Sequence, residues 1–337
     1  MPSVTISKIA QECGVSTFTV SAALSGSPRV AEATRDMVCA CAEKMGYRRN
    51  AAASRVRRRC CETLSLVVDN LYPANYPTGE FNEFGVPRDL LCGMLDEVRK
   101  SGFDLKLLPV SEQNLTPGEF ARYIGYPESD GVIFYGMHYQ QELHRIASEL
   151  HVPHITIKPW PENDFCAKPS VSVNSTPGVR DAVLYLLQKG HTRIAYASYN
   201  HIDTPLQQER FSPYQEELVK RQLFDPELLV VSRTRMEVRT RVADFIRNRQ
   251  FTALLCHNDL LARAWIEEVK YAGLEVPQDL AVVGYDCRPY FPGLSSVDNR
   301  NGEVGKRAAA ALIAGIKNGT PPEDQVIETK FVLKGSC

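Results

Sequence analysis

Apolar residues at intervals of three and four predict three helices in the first 45 residues. The first begins after Thr5, whose hydroxyl can cap it, and its apolar positions are Ile6, Ile9, Ala10 and Cys13. Ser16 can cap the second, whose apolar face is Val20, Ala23 and Leu24. The third runs from residue 31 or 32 to residue 45, and its inward positions are Val38, Ala42 and Met45.

The link between the first two helices has the spacing of a helix-turn-helix. Small Ala10 lets the helices approach, Gly14 can adopt the left-handed backbone of a tight turn, and Val20 closes the core. Such a motif docks its second helix in the major groove of DNA. The spacing also occurs by chance, and the alternative is a three-helix unit without a DNA role.

Beyond residue 61 the pattern changes to short apolar runs that alternate with amphipathic stretches. The runs predict strands at 64–68, 105–108, 131–135, 154–157, 193–197, 228–231, 252–256 and 280–285. The amphipathic stretches predict helices at 90–101, 140–150, 176–189, 238–249, 260–272 and 302–318. This alternation indicates parallel sheets with helices on both faces. Because about 275 residues exceed one comfortable hydrophobic core, we expect two α/β lobes.

Charge separates the two regions. Residues 1–61 contain ten Lys and Arg and four Asp and Glu, a net charge of +6, whereas the rest has 29 basic and 36 acidic residues, a net charge of −7. A basic head on an acidic body indicates that the head binds a polyanion. No run of about 18 apolar residues and no apolar leader is visible, so we expect a cytoplasmic protein without a membrane role.

Sequence signatures of enzymes and metal sites are absent. The chain has no Gly-x-Ser-x-Gly, no P-loop and no Gly-x-Gly-x-x-Gly, so we predict no catalytic residue, no cofactor and no metal ion. The ten cysteines lack zinc-ligand spacing, and we expect most of them to be small buried residues. The neighbouring Cys60 and Cys61 leave redox sensing as an alternative.

The link between head and body is short and strongly basic. Asn50 can cap a helix through the alanines that follow, but a helix of this length is unstable unless something anionic orders it. A helix in the minor groove, with Val56 as an apolar wedge, meets that requirement. The alternative is a solvated linker.

Polar residues follow several predicted strands in the second half of the body. They are His257-Asn258-Asp259, Asp286, and Asp298-Asn299. In open α/β sheets a ligand lies beyond the carboxyl ends of the strands, and short polar groups there suit a polyhydroxylated ligand. Each group could instead cap the next helix, as Asp259 could, but together they favour a cleft.

Several motifs resemble the LacI/GalR family of transcriptional regulators. In the head these are Thr5-Ile6-Ser7-Lys8-Ile9-Ala10, Gly14-Val15-Ser16-Thr17-Phe18-Thr19-Val20-Ser21 and Met45-Gly46-Tyr47-Arg48-Arg49-Asn50-Ala51. In the body they are Gly190-His191-Thr192-Arg193-Ile194-Ala195, Asn258-Asp259-Leu260-Leu261-Ala262 and Gly305-Lys306-Arg307-Ala308-Ala309. The segment 69–87, rich in aromatic residues, does not match.

The resemblance implies an all-α helix-turn-helix head and an α/β periplasmic-binding-protein-like body of two doubly wound parallel-sheet lobes. It places the headpiece at 1–49, a hinge helix and linker at 50–61, and an effector-binding and dimerisation domain at 62–337. The expected N-lobe spans about 62–172 and 297–324, and the expected C-lobe spans about 173–296 and 325–337.

The resemblance also implies a set of DNA contacts. Thr17 and Phe18 fall at base-reading positions, and phosphate contacts fall at Thr5, Ser16, Thr19, Ser21 and Tyr47. The remaining predicted contacts are Ala22, Ser25, Asn50, Ala53, Arg55 and Val56. At residues 22, 25 and 56 the family usually has Arg, Asn and Leu, so the DNA target cannot be transferred from a relative.

In the body, Arg210 matches the arginine that grips the effector in this family; the alternative is a surface charge. The other predicted effector-binding residues are Asn70, Asn258, Asp259, Asp286 and Asn299. Pro213 stands where the family usually has Gly, and an Asp common near residue 174 is replaced by Asn. A Phe or Tyr within 72–84 is a further candidate that could stack on the effector.

The predicted function is a homodimeric regulator, a repressor, that binds a pseudo-palindromic double-stranded DNA operator. A small-molecule effector, a sugar or sugar derivative bound between the two lobes, would control it. Two alternatives stay open: a sugar-binding protein without a DNA role, and a constitutive regulator whose pocket has lost its ligand.

Overall fold

The structure is a computed structural model that describes residues 4–24, 27–47, 60–69, 86–110, 116–135, 140–157, 168–199, 202, 205–248 and 250–337. It divides into two compact units, Met1–Cys60 and Cys61–Cys337. We refer to them as the head and the body.

The head contains three helices, α1 (Ile6–Cys13), α2 (Thr17–Leu24) and α3 (Glu32–Lys44). They pack around one small cluster of buried residues: Ile9, Ala10, Val20, Ala23, Val38 and Ala42. These are positions at which the helical spacing predicts burial, so the pattern of three short helices with a shared core is confirmed.

The turn between α1 and α2 forms as its sequence predicts. Gly14 adopts the left-handed conformation, with φ of 63°. The Thr5 hydroxyl accepts a hydrogen bond from the Lys8 N–H (3.4 Å), and the Ser16 hydroxyl accepts one from the Thr19 N–H (3.0 Å). Both helices therefore begin at a side-chain cap, which fixes where α2 starts.

The body alternates strands and helices throughout its described length. In chain order they are β1 (Thr63–Asp69), α4 (Arg88–Ser101), β2 (Asp104–Val110), α5 (Pro117–Ile124), β3 (Gly131–Tyr135), α6 (Gln140–Glu149), β4 (His154–Ile157), β5 (Ser170–Asn174), α7 (Thr176–Gln188), β6 (Ile194–Ser198), α8 (Pro205–Val219), a 3-10 turn (Pro226–Leu228), β7 (Leu229–Val231), α9 (Arg235–Asn248), β8 (Ala253–Cys256), α10 (Asp259–Tyr271), β9 (Ala281–Tyr285), β10 (Ser295–Asp298), α11 (Asn301–Asn318), β11 (Gln325–Glu328) and β12 (Lys330–Val332).

These strands form two six-stranded sheets, one in each lobe. The N-lobe sheet has the order β11-β5-β4-β3-β1-β2 and is parallel throughout. The C-lobe sheet has the order β12-β10-β9-β8-β6-β7 and is parallel except for the pair β10–β12. Each sheet has a hydrophobic cluster on both faces, as expected for a doubly wound lobe.

The chain crosses between the lobes three times, two to four residues beyond the approximate predicted boundaries. They follow Asn174, Asp298 and Glu328, because β5 and β11 pair with each other in the N-lobe sheet and β10 lies in the C-lobe sheet. The expected boundary at 324/325 therefore moves to the single residue Thr329. Its hydroxyl donates to the Asn174 carbonyl (3.0 Å), which ties the first crossing to the third.

Two helices and several short strands were not predicted. Helix α5 is only eight residues long, and α8 contains Pro213, which normally argues against a helix interior. Strands β5, β11 and β12 have three to five residues and mixed polarity. Among the described residues, no helix is long and apolar enough to cross a membrane.

Candidate DNA interface and effector cleft

The outward face of α2 carries the predicted base-reading residues. Thr17 is exposed, and the Phe18 side chain is 76% exposed, the most exposed large apolar side chain of the described head. Ser21 and Ala22 are partly exposed, while Val20 between these positions is fully buried. The helix thus separates a core face from a free face, as a recognition helix must.

Hydroxyl groups cluster at the beginning of this helix. The side chains of Ser16 and Thr19 lie 2.8 Å apart and share a hydrogen bond. Thr5 is exposed at the start of α1, and Tyr47 packs partly against the head core. Exposed hydroxyls and helix N-termini are typical donors to phosphate oxygens.

Some predicted residues lie outside the described part of the chain. In the head and hinge they are Ser25, Asn50, Ala53, Arg55 and Val56, and in the body they are Asn70 and the aromatic residues of 72–84. Their roles remain predictions.

Three predicted effector residues come together at the carboxyl ends of the C-lobe strands. Asp286, directly after β9, lies 3.3 Å from the Arg210 guanidinium, and the Asn299 amide donates to the same Asp286 oxygen (3.0 Å). Asp286 has φ of 110°, and its backbone N–H donates to the Val297 carbonyl (2.9 Å). Arg288 lies 3.5 Å from the other Asp286 oxygen. Asp286 is therefore held by two guanidinium groups and one amide.

Arg210 is not a surface charge. It projects from α8, stacks with its guanidinium carbon 4.0 Å from the centre of the Tyr285 ring, and donates to the His257 carbonyl (2.8 Å). Burial acts to lower the pKa of the Arg210 guanidinium, but Asp286, Tyr285, Glu209 and Tyr199 together outweigh burial and raise that pKa above its usual value. Arg210 is a permanent, largely buried cation.

A second layer of residues supports this arrangement, and sequence reasoning missed it. The Ser175 hydroxyl, at the first crossing, donates to Glu209 (2.6 Å) and shares a hydrogen bond with the Tyr285 hydroxyl (2.6 Å). Tyr285 in turn lies under Arg210. Only the tertiary fold joins these residues, because Ser175 and Tyr285 lie 110 positions apart.

His257, one of the polar residues that follow a predicted strand, is a further buried neighbour of Arg210. It follows β8, and its Nδ1 lies 3.2 Å from the Tyr196 hydroxyl. Its Nε2 is buried and has no hydrogen-bond partner among the described residues, and the same is true of Asn299 Oδ1. Burial, reinforced by the Arg210 charge, lowers the pKa of His257 well below its usual value, so the ring is neutral.

A cavity of about 300 Å³ opens beside Asp286 and Asn299 at the junction of the lobes. Its lining comes from the C-lobe strand ends, from the second crossing and from the start of the N-lobe helices α4 and α11: Asp89, Asp286, Cys287, Asp298, Asn299, Arg300, Asn301, Gly302 and Glu303. Its place matches the rule that ligands bind beyond the carboxyl ends of strands in open α/β sheets.

Comparison with known proteins assigns both parts of the chain. Residues 5–50 match the bacterial regulatory proteins of the lacI family, and residues 183–337 match the periplasmic binding protein-like domain. The transcriptional repressor PurR of Aliivibrio fischeri is 27% identical over 93% of this chain and 92% of its own length. The PurR of Vibrio atlanticus is 26% identical over the same shares.

The chain carries a DNA-binding domain of the lacI family, followed by a periplasmic binding protein-like domain.

The chain is a DNA-binding transcriptional regulator with an effector-binding domain, and the proteins of the lacI family are such regulators rather than enzymes. Solved structures agree on its fold. A complex of the regulator CelR with cellobiose superposes with a TM-score of 0.64 at 24% identity, covering 99% of this chain and all of that one. A lac repressor dimer bound to operator and the anti-inducer ONPF gives 0.71 at 18% identity, covering 99% of each chain.

Two predicted effector residues of this regulator have other roles in the structure. The Asn258 side chain caps α10 by accepting from the Leu261 N–H (2.9 Å), so the capping alternative holds for Asn258 rather than for Asp259. Asp259 is fully buried and accepts from the Ser296 hydroxyl (2.6 Å) and the Arg288 N–H (2.7 Å). Through these bonds Asp259 stabilises the segment that follows Asp286, and it does not line the cavity.

Close packing against Asp259 explains why residue 284 is a glycine. A side chain at Gly284 would place its Cβ only 2.1 Å from an Asp259 carboxylate oxygen. Burial raises the pKa of the Asp259 carboxyl to about 7, although its two hydrogen bonds oppose the shift. Asp259 can therefore occupy this position only because residue 284 is a glycine.

The cysteines depart from expectation. Of the nine that are described, only Cys61 and Cys256 are buried, so most are not core residues. Burial and the neighbouring Asp130 raise the pKa of the Cys61 thiol to about 11, which disfavours the thiolate that redox sensing requires. The described residues contain no group of His, Cys, Asp and Glu that could hold a metal ion.

Proposed function

We propose that this regulator is a repressor that binds a pseudo-palindromic operator as a homodimer. Its effector would be a neutral polyhydroxylated molecule, a sugar or sugar derivative, held at Arg210, Asp286 and Asn299. Residues 1–49 would form the DNA-binding headpiece and 50–61 the hinge, and residues 62–337 would form the effector-binding and dimerisation domain. The protein would act in the cytoplasm, where its DNA target lies, without catalysing a reaction.

The observation that carries the effector class is an unpartnered buried atom at the cavity. Asn299 lines the cavity and is 3% exposed, and its Oδ1 accepts no hydrogen bond from the described residues. A hydroxyl group can donate to this oxygen and also accept, so a ligand with several hydroxyls suits the cavity.

Charge balance in the cleft supports a neutral ligand. Arg210 and Asp286 already neutralise each other, and the cavity is lined by four acidic residues, Asp89, Asp286, Asp298 and Glu303, and by one basic residue, Arg300. An anionic ligand would compete with Asp286 for Arg210, whereas a neutral polyol can bind around the existing pair. The cellobiose of the CelR complex is a ligand of this chemical class.

The repressor assignment rests on the head and on the relatives. The free face of α2 suits a major groove, and the curated relatives of similar length are named as repressors. An effector must bind the DNA-competent and incompetent states unequally if it is to control the protein. We propose that the state of the two lobes around the cavity supplies this difference.

Selection of bound DNA from a random pool by the full chain tests the DNA half of the proposal. We expect an inverted repeat with a flexible pyrimidine–purine step at its centre. An asymmetric consensus would contradict the homodimer and hinge, and the absence of any selected DNA would favour a sugar-binding protein without a DNA role.

Thermal unfolding against glucose, galactose, ribose, cellobiose and a set of free nucleobases tests the effector half. A ligand that binds only the folded state must raise the melting temperature. We expect a rise with one of the sugars and no rise in Asn299→Ala. A nucleobase as the only active compound would overturn the sugar class, and no active compound would favour the constitutive regulator.

A further inference from the structure

Helix α2 lacks the side chains that usually read base pairs by paired hydrogen bonds. Its sequence, Thr-Phe-Thr-Val-Ser-Ala-Ala-Leu, contains no Arg, Lys, Asn, Gln, Asp or Glu. Arg and Lys read guanine and Asn and Gln read adenine through two hydrogen bonds each, and these contacts give most of the direct discrimination in major grooves. Only hydroxyl and apolar groups remain on this helix.

The largest group on its free face is a phenyl ring. Phe18 is 76% exposed, and Val20 and Ala23 on the opposite face are buried in the head core. The other large apolar side chain that is exposed in the described head, Met37 at 44%, lies on α3. The exposed ring therefore does not serve the packing of the head.

The position of the ring along the helix is well defined. Ser16 caps α2 through the Thr19 N–H, and the two hydroxyls are joined at 2.8 Å, so Phe18 lies in the first turn. In a helix-turn-helix, the N-terminal residues of the second helix contact base edges. Phe18 is thus placed where base contacts are made, with no hydrogen-bonding group of its own.

We propose that Phe18 reads the C5-methyl group of a thymine, so that each half-site is recognised through a methyl contact rather than through paired hydrogen bonds. This inference rests on the proposed binding of the head to an operator. Thymine is the only standard base that presents an apolar group in the major groove, and apolar side chains are its natural partners. Burying the ring against the methyl removes both from water.

The test replaces each thymine of the selected site by deoxyuridine, one position at a time, and measures binding by the full chain. Uracil lacks only the methyl group. We expect one position in each half-site to be sensitive, with a loss of about fourfold for one methyl and about fifteenfold when both half-sites are changed. At the same positions, Phe18→Ala should bind the thymine and uracil sites equally.

Met37→Ala is the matched control, because it truncates an exposed apolar side chain of the head outside α2. It should keep the full preference for thymine. Binding that is unaffected by uracil at every position would overturn the methyl contact while leaving the proposed function intact. A thymine preference that survives in Phe18→Ala would also overturn it, and failure to bind any DNA would overturn both proposals.

Discussion

The head and the body hold their candidate sites in opposite ways. In the head, Thr17 and Phe18 project from one short helix into solvent and contribute nothing to the core. In the body, Arg210, Asp286 and Asn299 are largely buried and bind one another. We therefore expect head substitutions to change binding alone, whereas cleft substitutions should change both binding and folding.

Arg210→Ala should give the largest loss of stability, because it leaves the largely buried Asp286 carboxylate without the Arg210 guanidinium. Breaking a buried ion pair typically costs about 3–5 kcal/mol of unfolding free energy, and the stack on Tyr285 is lost as well. Urea unfolding of the body measures it. Arg193→Ala is the control, since its guanidinium is half exposed at 3.6 Å from Asp225 and should cost about 1 kcal/mol or less. Equal small losses would contradict a structural role for the Arg210 pair.

Asp259→Asn should change how the stability of the body depends on pH. The folded pKa of about 7 lies above the ordinary value of 3.8, so the unfolded chain releases this proton first as pH rises. Stability must therefore fall between about pH 4 and pH 7 and stay level above it. Removing this group should abolish a decline on the order of 2 kcal/mol between pH 5 and pH 8.

Unfolding in urea at several pH values tests this expectation. Asp181→Asn, which removes an exposed carboxyl group from α7, serves as the control and should keep the slope of the parent chain. If the slope of unfolding free energy against pH is unchanged in Asp259→Asn, the Asp259 carboxyl has the same pKa in the folded and the unfolded chain, which would contradict this expectation.

Gly14→Ala tests the local rule that builds the head. Among the described residues, no atom outside the local backbone lies within 4 Å of the added Cβ, so the cost is that of a left-handed backbone alone, about 1 kcal/mol. Hydrogen exchange of head peptides in the full chain reports it. Gly118→Ala, in α5 and equally unobstructed, has no positive φ and should stabilise its helix by a fraction of that amount. A stability change of the same sign in Gly14→Ala and Gly118→Ala would contradict this explanation.

Phe18→Ala should have the smallest effect on stability and a clear effect on DNA binding. We expect a change within about 0.5 kcal/mol in the head, since the ring touches no core. Val20→Ala, two residues along the same helix, removes a fully buried side chain and should destabilise the head measurably. If hydrogen exchange shows similar protection of the head in Phe18→Ala and Val20→Ala, the distinction between the core face and the free face of α2 is contradicted.

The same contrast explains what could be predicted from sequence. The apolar spacing around Ala10 and Val20, together with Gly14, defines the head because all its determinants are local. In the body, continuous apolar runs such as 253–256 identify the central strands. The polar edge strand β11 lacks such a signal, and Pro213 conceals α8.

The cleft was only partly predictable for a physical reason. A polar residue after a strand can face a ligand, cap a helix or support a loop, and its sequence position is the same in each case. Asn258 proves to be a cap and Asp259 a support, whereas Asp286 lies at the cavity. Ser175 carries no local signal at all, because its partners lie 34 and 110 residues away.

The most direct test of the account measures operator binding by the full chain with and without the sugar that raises its melting temperature. We expect this sugar to change operator affinity at least about fivefold, in either direction, and we expect Arg210→Lys to lose the change while still binding the operator. A sugar that stabilises the protein yet leaves operator affinity unchanged would contradict control of the exposed head by the buried cleft.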